Sequence, residues 1–204
     1  MLMKTKNYKF LAILLGLLFW SSVSYAQDTI AITASSVVAC PGNAVTIDVD
    51  ATNFDSIGSI SLVLNYDTLV LDYNNTVIDP ALNAAGILFT NAVKGQVKIS
   101  GISFAPDGFG ILGDRTIFEI NFDFISGASA LGWNTSKPGD CQLVHVDLVE
   151  IPCIYTDGSV SAPPLAIINP PVSKTINEND DTYFTVNAIG ATLTNGRLMM
   201  VPDL

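Results

Sequence analysis

Four apolar-rich runs lie between Ala44 and Ser103: Val45-Thr46-Ile47-Asp48-Val49, Ile60-Ser61-Leu62-Val63-Leu64-Asn65-Tyr66, Leu69-Val70-Leu71-Asp72-Tyr73 and Val97-Lys98-Ile99-Ser100-Gly101-Ile102. Most of them alternate apolar and polar residues in or near period two, which is typical of half-buried β-strands. The second run predicts a core face of Ile60, Leu62, Leu64 and Tyr66, and an outer face of Ser59, Ser61, Val63 and Asn65.

The same pattern continues on both sides of this stretch. Residues 29–33 predict an earlier strand, and Arg115–Ile125 carries Phe118, Phe122 and Phe124 on one face. Turn residues recur roughly every 8–12 positions, and no helical period follows residue 26. The sequence therefore predicts an all-β domain, an antiparallel β-sandwich of eight or nine strands.

The first 26 residues have the features of a secretory signal. Three lysines precede an apolar run at residues 10–20, and Ser24-Tyr25-Ala26 offers small residues for cleavage after Ala26. The apolar run is too short to cross a bilayer core of about 30 Å. We expect the chain to be secreted, or held at the cell surface, with no membrane insertion after cleavage.

Charge narrows the classes of partner. Residues 27–204 keep six basic and 19 acidic side chains, a net charge of −13. Nucleic acids and anionic membrane surfaces attract basic proteins, so we expect neither as a partner. The charged fraction is 14% and the hydrophobic fraction 49%, which indicates a folded chain.

A boundary is predicted at Ala162-Pro163-Pro164. Residues 27–162 are long enough for one substantial core. Residues 163–204 contain two further strand-like runs, at 172–180 and 182–186, and about 40 residues are fewer than usually fold alone. We interpret 163–204 as a linker and the start of a second β domain.

Three cysteines, Cys40, Cys141 and Cys153, follow the signal. Export permits a disulfide, and an odd count leaves one thiol over. Spacing alone leaves all three pairings open. The sequence has no Cys-x-x-Cys motif, and its single histidine has no usual zinc-ligand spacing to a cysteine pair, so no zinc site is expected.

The sequence shows no evident set of catalytic residues. A Ser-His-Asp triad would need His145, with Asp147 or Asp140, but His145 lies in a strand pattern rather than at a loop. The carboxylate pairs Asp48/Asp50 and Glu119/Asp123 are explained as solvated strand faces. We therefore predict no enzyme.

No cofactor and no metal site are predicted, and calcium is the only ion that the acidic loops suggest. Asp107-Gly108-Phe109-Gly110 and Glu178-Asn179-Asp180-Asp181 are rich in oxygen ligands, but neither has the EF-hand spacing. Ordinary turns account for both loops.

Several motifs occur in the order and spacing of one known family. They are Pro41-Gly42-Asn43, Ile57-Gly58-Ser59-Ile60, Leu64-Asn65-Tyr66-Asp67-Thr68-Leu69, Gly95-Gln96-Val97-Lys98-Ile99-Ser100, Ile117-Phe118-Glu119-Ile120 and Asp157-Gly158-Ser159-Val160. Over about residues 29–162 the chain resembles the cohesin domain family. It departs from the family at Asn43, where Asp is common, and at Thr68, where Pro is common. The resemblance implies a nine-stranded jelly-roll sandwich, related to carbohydrate-binding modules, that binds dockerin domains through a flat sheet face.

The resemblance also implies roles for single residues. The recognition face would comprise Ser59, Ser61, Val63, Asn65, Lys98 and Ser100, with Ile102 beside them. Residues 133–141 are similar to a run in cohesin-like domains of secreted bacterial surface proteins, where a cysteine near the first Pro-Gly pairs with the later one. This implies a Cys40–Cys141 disulfide and a free Cys153. Residues 168–186 resemble the first strands of an immunoglobulin-like repeat.

The function predicted from these observations is a secreted, non-catalytic, cohesin-like interaction module that binds a dockerin-like protein partner or acts in cell-surface adhesion. One alternative is a carbohydrate-binding module associated with polysaccharide breakdown. Polysaccharide would require an exposed aromatic strip, for which the candidates are Tyr73, Phe89, Phe104 and Phe109. The other alternative is a structural spacer of a large adhesin.

Overall fold

The structure is a computed structural model that describes residues 29–110, 113–164, 166–170, 172–177, 183 and 187–189. The predicted signal at 1–26 and the acidic loop at 178–181 lie outside the described residues. The immunoglobulin-like segment stays a prediction, because only part of it is described.

The described chain consists almost entirely of strands. In chain order they are β1 (Ile30–Ala34), β2 (Ser36–Val38), β3 (Ala44–Phe54), β4 (Ile57–Asn65), β5 (Leu71–Ile78), β6 (Gly86–Val93), β7 (Gln96–Ser103), β8 (Gly113–Phe124), β9 (Ala128–Trp133), β10 (Gln142–His145), β11 (Glu150–Ile151), β12 (Cys153–Thr156), β13 (Gly158–Ser161), β14 (Ala166–Asn169) and β15 (Asn187–Ile189). One short helix, α1 (Pro80–Ala85), lies between β5 and β6.

The strands form two facing sheets, as the alternating pattern predicted. The back sheet has the order β12-β1-β3-β8-β5. The front sheet is built on β4, which pairs with β7 along one side and with β10 and then β9 along the other. Beyond β7 lies β6, beyond β10 lies β11, and beyond β9 lie β13 and β2. Strands β14 and β15 form a separate pair.

Both sheets are mixed, although the sequence predicted an antiparallel sandwich. Strands β1 and β2 run parallel to β12 and β13 respectively, while the other pairs are antiparallel. The first and last segments of the domain therefore lie side by side and cross together from the back sheet to the front sheet. Gly158 makes this approach feasible, because a Cβ there would overlap the carbonyl oxygen of Ser35.

The core lies between the sheets and is filled by the inward faces of the predicted strands. On β8, Phe118, Phe122 and Phe124 are buried, as their alternation predicted. Ile117, which the same alternation predicts to face outward, is buried as well. A register shift in the β3–β8 pairing leaves Ile117 without a β3 partner, so that two consecutive residues of β8 face the core.

The segment after β4 differs most from the prediction. Asp67 accepts a hydrogen bond from Leu69 N through its side chain (2.8 Å) and one from Leu71 N through its carbonyl (2.9 Å), so residues 68–70 form a turn and β5 starts at Leu71. Residues 74–85, where the sequence predicted no helix, continue β5 to Ile78 and then form α1. The helix forms because Asp79 caps its first turn.

Within the described part of the chain, no helix has the length and apolar character needed to cross a membrane.

Candidate functional site

On the outer face of the front sheet, four cross-strand rows lie side by side. Each row takes one residue from β4, one from β7 and one from β6. The rows are Ser59–Ile102–Ile87, Ser61–Ser100–Phe89, Val63–Lys98–Asn91 and Asn65–Gln96–Val93. The structure thus brings the six residues of the predicted recognition face together on one surface.

The β6 side of this surface is apolar. Ile87 is 50% exposed, Phe89 67%, Val93 43% and Ile102 46%. We call these four residues the apolar edge. Single exposed apolar side chains are common on protein surfaces, but several in neighbouring rows of one sheet form a patch that favours contact with another molecule.

Of the apolar edge, the sequence indicated only Phe89, as an aromatic candidate for polysaccharide binding, and Ile102, beside the recognition face. The four apolar-rich runs of the sequence do not include β6, which spans Gly86–Val93. The exposed residues 87, 89 and 93 do alternate with the half-buried Leu88 and Ala92, as in a strand. Because both faces of β6 carry apolar residues, the period-two contrast was lost.

Polar groups lie between the apolar edge and β4. Lys98, Ser100 and Asn91 are exposed, and Lys98 forms no salt bridge with any residue that the structure describes. At the neighbouring row, Gln96 Nε2 donates to Asn65 Oδ1 (2.9 Å), so these two amides satisfy each other in part. The ammonium of Lys98 is the charged group that this face presents to a partner.

The β4 side of the surface is bordered by the loop of residues 134–141. Ser61 Oγ donates to the carbonyl oxygen of Gly139 (2.6 Å). The carbonyl oxygen of Val63 accepts from Asn134 N (2.9 Å) and contacts Cys141 Sγ (3.6 Å). The loop is itself held by a hydrogen bond from Asn134 Nδ2 to Asp140 Oδ2 (2.7 Å).

The loop changes the outline of the predicted face. Val63 is only 4% exposed, yet it does not belong to the core cluster between the sheets. Its burial must therefore come from the outer side, where the loop crosses. Val63 was predicted to be accessible and is not, and the hydroxyl of Ser61 is already engaged. The accessible surface is shifted toward β7 and β6.

The predicted Cys40–Cys141 disulfide is not formed, and all three cysteines are free thiols. Cys40 follows β2, which lies beside the Ala128 end of β9 through β13. Cys141 contacts Val63, beside the opposite, Trp133 end of β9. Five residue steps along a strand span more than about 15 Å, whereas a disulfide needs Cα atoms within about 7 Å.

His145 is engaged in a local turn. The N–H of Asp147 donates to its Nδ1 (3.2 Å), and the Asp147 carboxylate lies 3.3 Å from the same atom. Asp147 lies in the turn after β10. No hydrogen bond joins His145 to a serine among the described residues, so the geometry of a triad is not assembled there.

The acidic candidates are also accounted for by the fold. Glu119 lies opposite Asp48 on the back sheet, on neighbouring strands rather than across a cleft. In the loop at residues 107–110, Gly110 N donates to the Asp107 carbonyl (3.0 Å), which is an ordinary turn. No cluster of three or more His, Cys, Asp or Glu in the described ranges could hold a metal ion.

The four aromatic candidates do not form a strip. Phe109 is 1% exposed, because it packs against Gly86, where a Cβ would meet its ring. Tyr73 belongs to the back sheet and packs edge-on against Phe122, with ring centroids 6.0 Å apart. Only Phe89 and Phe104 are exposed. The arrangement gives no support to the carbohydrate-binding alternative.

Known proteins share this architecture. The chain is similar to a non-cellulosomal cohesin of the archaeon Archaeoglobus fulgidus (21% identity, TM-score 0.56, 67% of this chain and 93% of that one). It is also similar to the cohesin of the Coh-OlpA–Doc918 complex, a cohesin–dockerin complex of Clostridium thermocellum (18%, 0.58, 67% and 100%). A third similar structure is the seventh ScaB type I cohesin of Pseudobacteroides cellulosolvens (14%, 0.57, 73% and 99%).

No curated protein matches the chain. The family model of the cohesin domain matches residues 30–162, which is the whole sandwich from β1 to the end of β13. The chain therefore belongs to the cohesin domain family.

Proposed function

We propose that this protein is a non-catalytic interaction module that binds a dockerin-like protein through the outer face of the front sheet, on the side of β6 and β7. The observation that carries the proposal is the apolar edge, in which two paired strands expose four apolar side chains on one face of the sheet. Structural relatives include cohesins solved in complex with dockerins, which supports a protein as the class of partner.

The chemistry of the face suits a folded protein partner. Interfaces of this kind have an apolar centre with a polar surround, and aromatic residues contribute strongly to their binding energy. Here Phe89 lies within the apolar edge, and Ser100, Lys98 and Asn91 lie next to it. The complementary surface would carry an apolar ridge for Phe89 and Ile102 and a hydrogen-bond acceptor or carboxylate for Lys98.

The place of action that we propose is outside the cell or at its surface. The signal-like segment at 1–26 and the acidity of the remaining chain support this. Adhesion between surfaces would be one use of such a module, with binding of the partner as the underlying event.

Binding to a panel of isolated dockerin domains, measured by calorimetry, tests the proposal. We expect at least one member to bind, and we expect Phe89→Asp to weaken that binding at least tenfold, because a buried aromatic contact is replaced by a desolvated charge. Ile102→Asp should act in the same direction.

The matched control is Val77→Asp. Val77 is 46% exposed and lies on the outer face of the back sheet, opposite Glu119. This variant should bind like the unaltered chain. Equal loss of binding in Val77→Asp and Phe89→Asp would contradict the proposed face, and failure of every dockerin to bind would favour the spacer alternative.

A further inference from the structure

Two cysteines flank the β10–β11 hairpin at the same end. In its antiparallel ladder Leu143 lies opposite Ile151, and Val144 lies opposite Glu150. Cys141 lies two residues before Leu143, and Cys153 lies two residues after Ile151, in β12, where it pairs with Ile30 of the back sheet. Each cysteine is therefore two residues from the same cross-strand pair, at the end of the hairpin where the chain crosses from the front sheet to the back sheet.

Both side chains point to the same side of the hairpin. Cys141 and Cys153 have the parity of Leu143 and Ile151, which are buried, and both thiols pack against the core cluster. The thiol of Cys153 lies at the backbone of Leu143, two residues after Cys141, so the two sulfurs lie at the same end of the hairpin. Both act electrostatically on the hydroxyl of Tyr155.

The two thiols are partly buried. Cys153 Sγ contacts the carbonyl oxygen of Ile151 (3.3 Å). The ring of Tyr155 lies 6.0 Å from that of Trp133, and its hydroxyl is buried without a hydrogen-bond partner in the structure. A bond formed here would be shielded from reductants, whereas Cys40 is exposed.

We propose that Cys141 and Cys153 form an intramolecular disulfide when the chain folds in an oxidising environment, and that Cys40 stays a free thiol. The oxidant is a disulfide compound, such as oxidised glutathione or an oxidised dithiol protein. One cysteine thiolate attacks the oxidant to form a mixed disulfide, and the second thiolate displaces the oxidant's remaining thiol. The protein loses two protons and two electrons, and the oxidant is reduced to two thiols.

The bond would act on the border of the binding surface. Cys141 ends the loop of residues 134–141, which contacts Ser61 and covers Val63. The link to Cys153 would fix this end of the loop to β12 in the back sheet, behind the hairpin. The covered side of the outer face would then be covalently held, and the side of β6 and β7 would be left open.

Peptide mapping of the full chain tests the proposal. The folded chain is incubated with a mixture of oxidised and reduced glutathione, its free thiols are alkylated, and it is cut after glutamate. Glu150 lies between the two cysteines, so cleavage gives fragments 120–150 and 151–178. We expect these fragments to stay joined until a reductant is added, and the chain before alkylation to be lighter by about 2 Da, the mass of two hydrogens.

Two variants complete the design. Cys40→Ser should keep the linked fragments, and Cys153→Ser should lose them while leaving Cys141 open to alkylation after unfolding. Separate fragments from the unaltered, folded chain after oxidation would overturn the proposal. So would a linked peptide that contains Cys40. Because the deciding measurement uses the unaltered chain, it does not depend on whether Cys153→Ser folds.

Discussion

Gly158 shows how a single hydrogen atom in place of a side chain permits the closure of the domain. It lies where β13 begins beside the segment that joins β1 to β2, and a Cβ would overlap the carbonyl of Ser35 and come within 2.8 Å of that of Ala34. These are backbone atoms held by the parallel pairing on both sides, so they cannot move aside without breaking ladder hydrogen bonds.

We expect Gly158→Ala to lower the free energy of unfolding by about 1–3 kcal/mol, the usual range for a group forced into a packed site. Urea unfolding followed by the fluorescence of Trp133 measures this. Gly132→Ala is the matched control, because its Cβ would meet nothing closer than 3.8 Å. Similar stabilities for the two variants would show that the chain ends are less tightly packed than the structure indicates.

At the scale of elements, Asp79 links a helix to a sheet. Its side chain accepts from Ala81 N (2.8 Å) and Leu82 N (3.3 Å), capping α1, and its other oxygen lies 2.7 Å from Arg115 Nη2 on β8. Pro80 follows at the first helical position, where its missing N–H costs no hydrogen bond. The side chain of Leu82, in the middle of the helix, is completely buried.

We expect Asp79→Ala to cost about 1–2 kcal/mol of stability, most of it from the lost cap. Arg115→Met removes only the ion pair. Because the Arg115 side chain is exposed, this variant should lower the free energy of unfolding by no more than about 1 kcal/mol. Thermal unfolding of the two single variants and of the double variant separates the contributions. A larger loss in Arg115→Met than in Asp79→Ala would show that the ion pair, and not the cap, holds α1.

Strands were predicted correctly where the local alternation of the sequence matches the burial of the side chains. Elements whose formation depends on a few capping or contact residues were missed. The strands β4, β7 and β8 follow from alternation. The helix α1 was missed although Asp79-Pro80 is a capping signal, because six residues with one buried side chain give no periodicity. The burial of Val63 could not be predicted either, since it depends on a loop that starts some seventy residues later.

The site shows the same division. The six residues predicted for the recognition face lie on one surface, because strand parity and register are local properties. The apolar edge depends on β6 lying beyond β7, which is a property of topology. The cysteine pairing was inferred by resemblance, whereas the hairpin of β10 and β11 brings Cys141 and Cys153, and not Cys40, to one end.

At the scale of the whole molecule, burial governs the response to alkaline pH. Burial raises the pKa of the thiols of Cys141 and Cys153 and of the phenols of Tyr66 and Tyr155. In the unfolded chain these groups would ionise near their ordinary values, 9.0 for the thiols and 10.0 for the phenols. Above these values the folded state holds more protons than the unfolded state, so stability falls as pH rises.

We therefore expect the free energy of unfolding of the reduced chain to be level toward neutral pH and to fall from about pH 9 upward, as these pKa shifts dictate. Urea titrations at a series of pH values, in the presence of a reductant, measure it. Stability that rose between pH 9 and 11 would contradict the burial of these four groups.

The parallel pairing of the first and last strands has a mechanical consequence. The chain enters the sandwich at Ile30, beside Cys153, and leaves it after Ser161, beside Val38, so the two attachment points lie at opposite poles about 25 Å apart. Tension between them pulls β1 and β12 past each other along their length, as it does β2 and β13. Hydrogen bonds in a parallel ladder are evenly spaced and slanted, so all of them share the load in shear. A domain tethered in this way is built to resist being stretched from its ends.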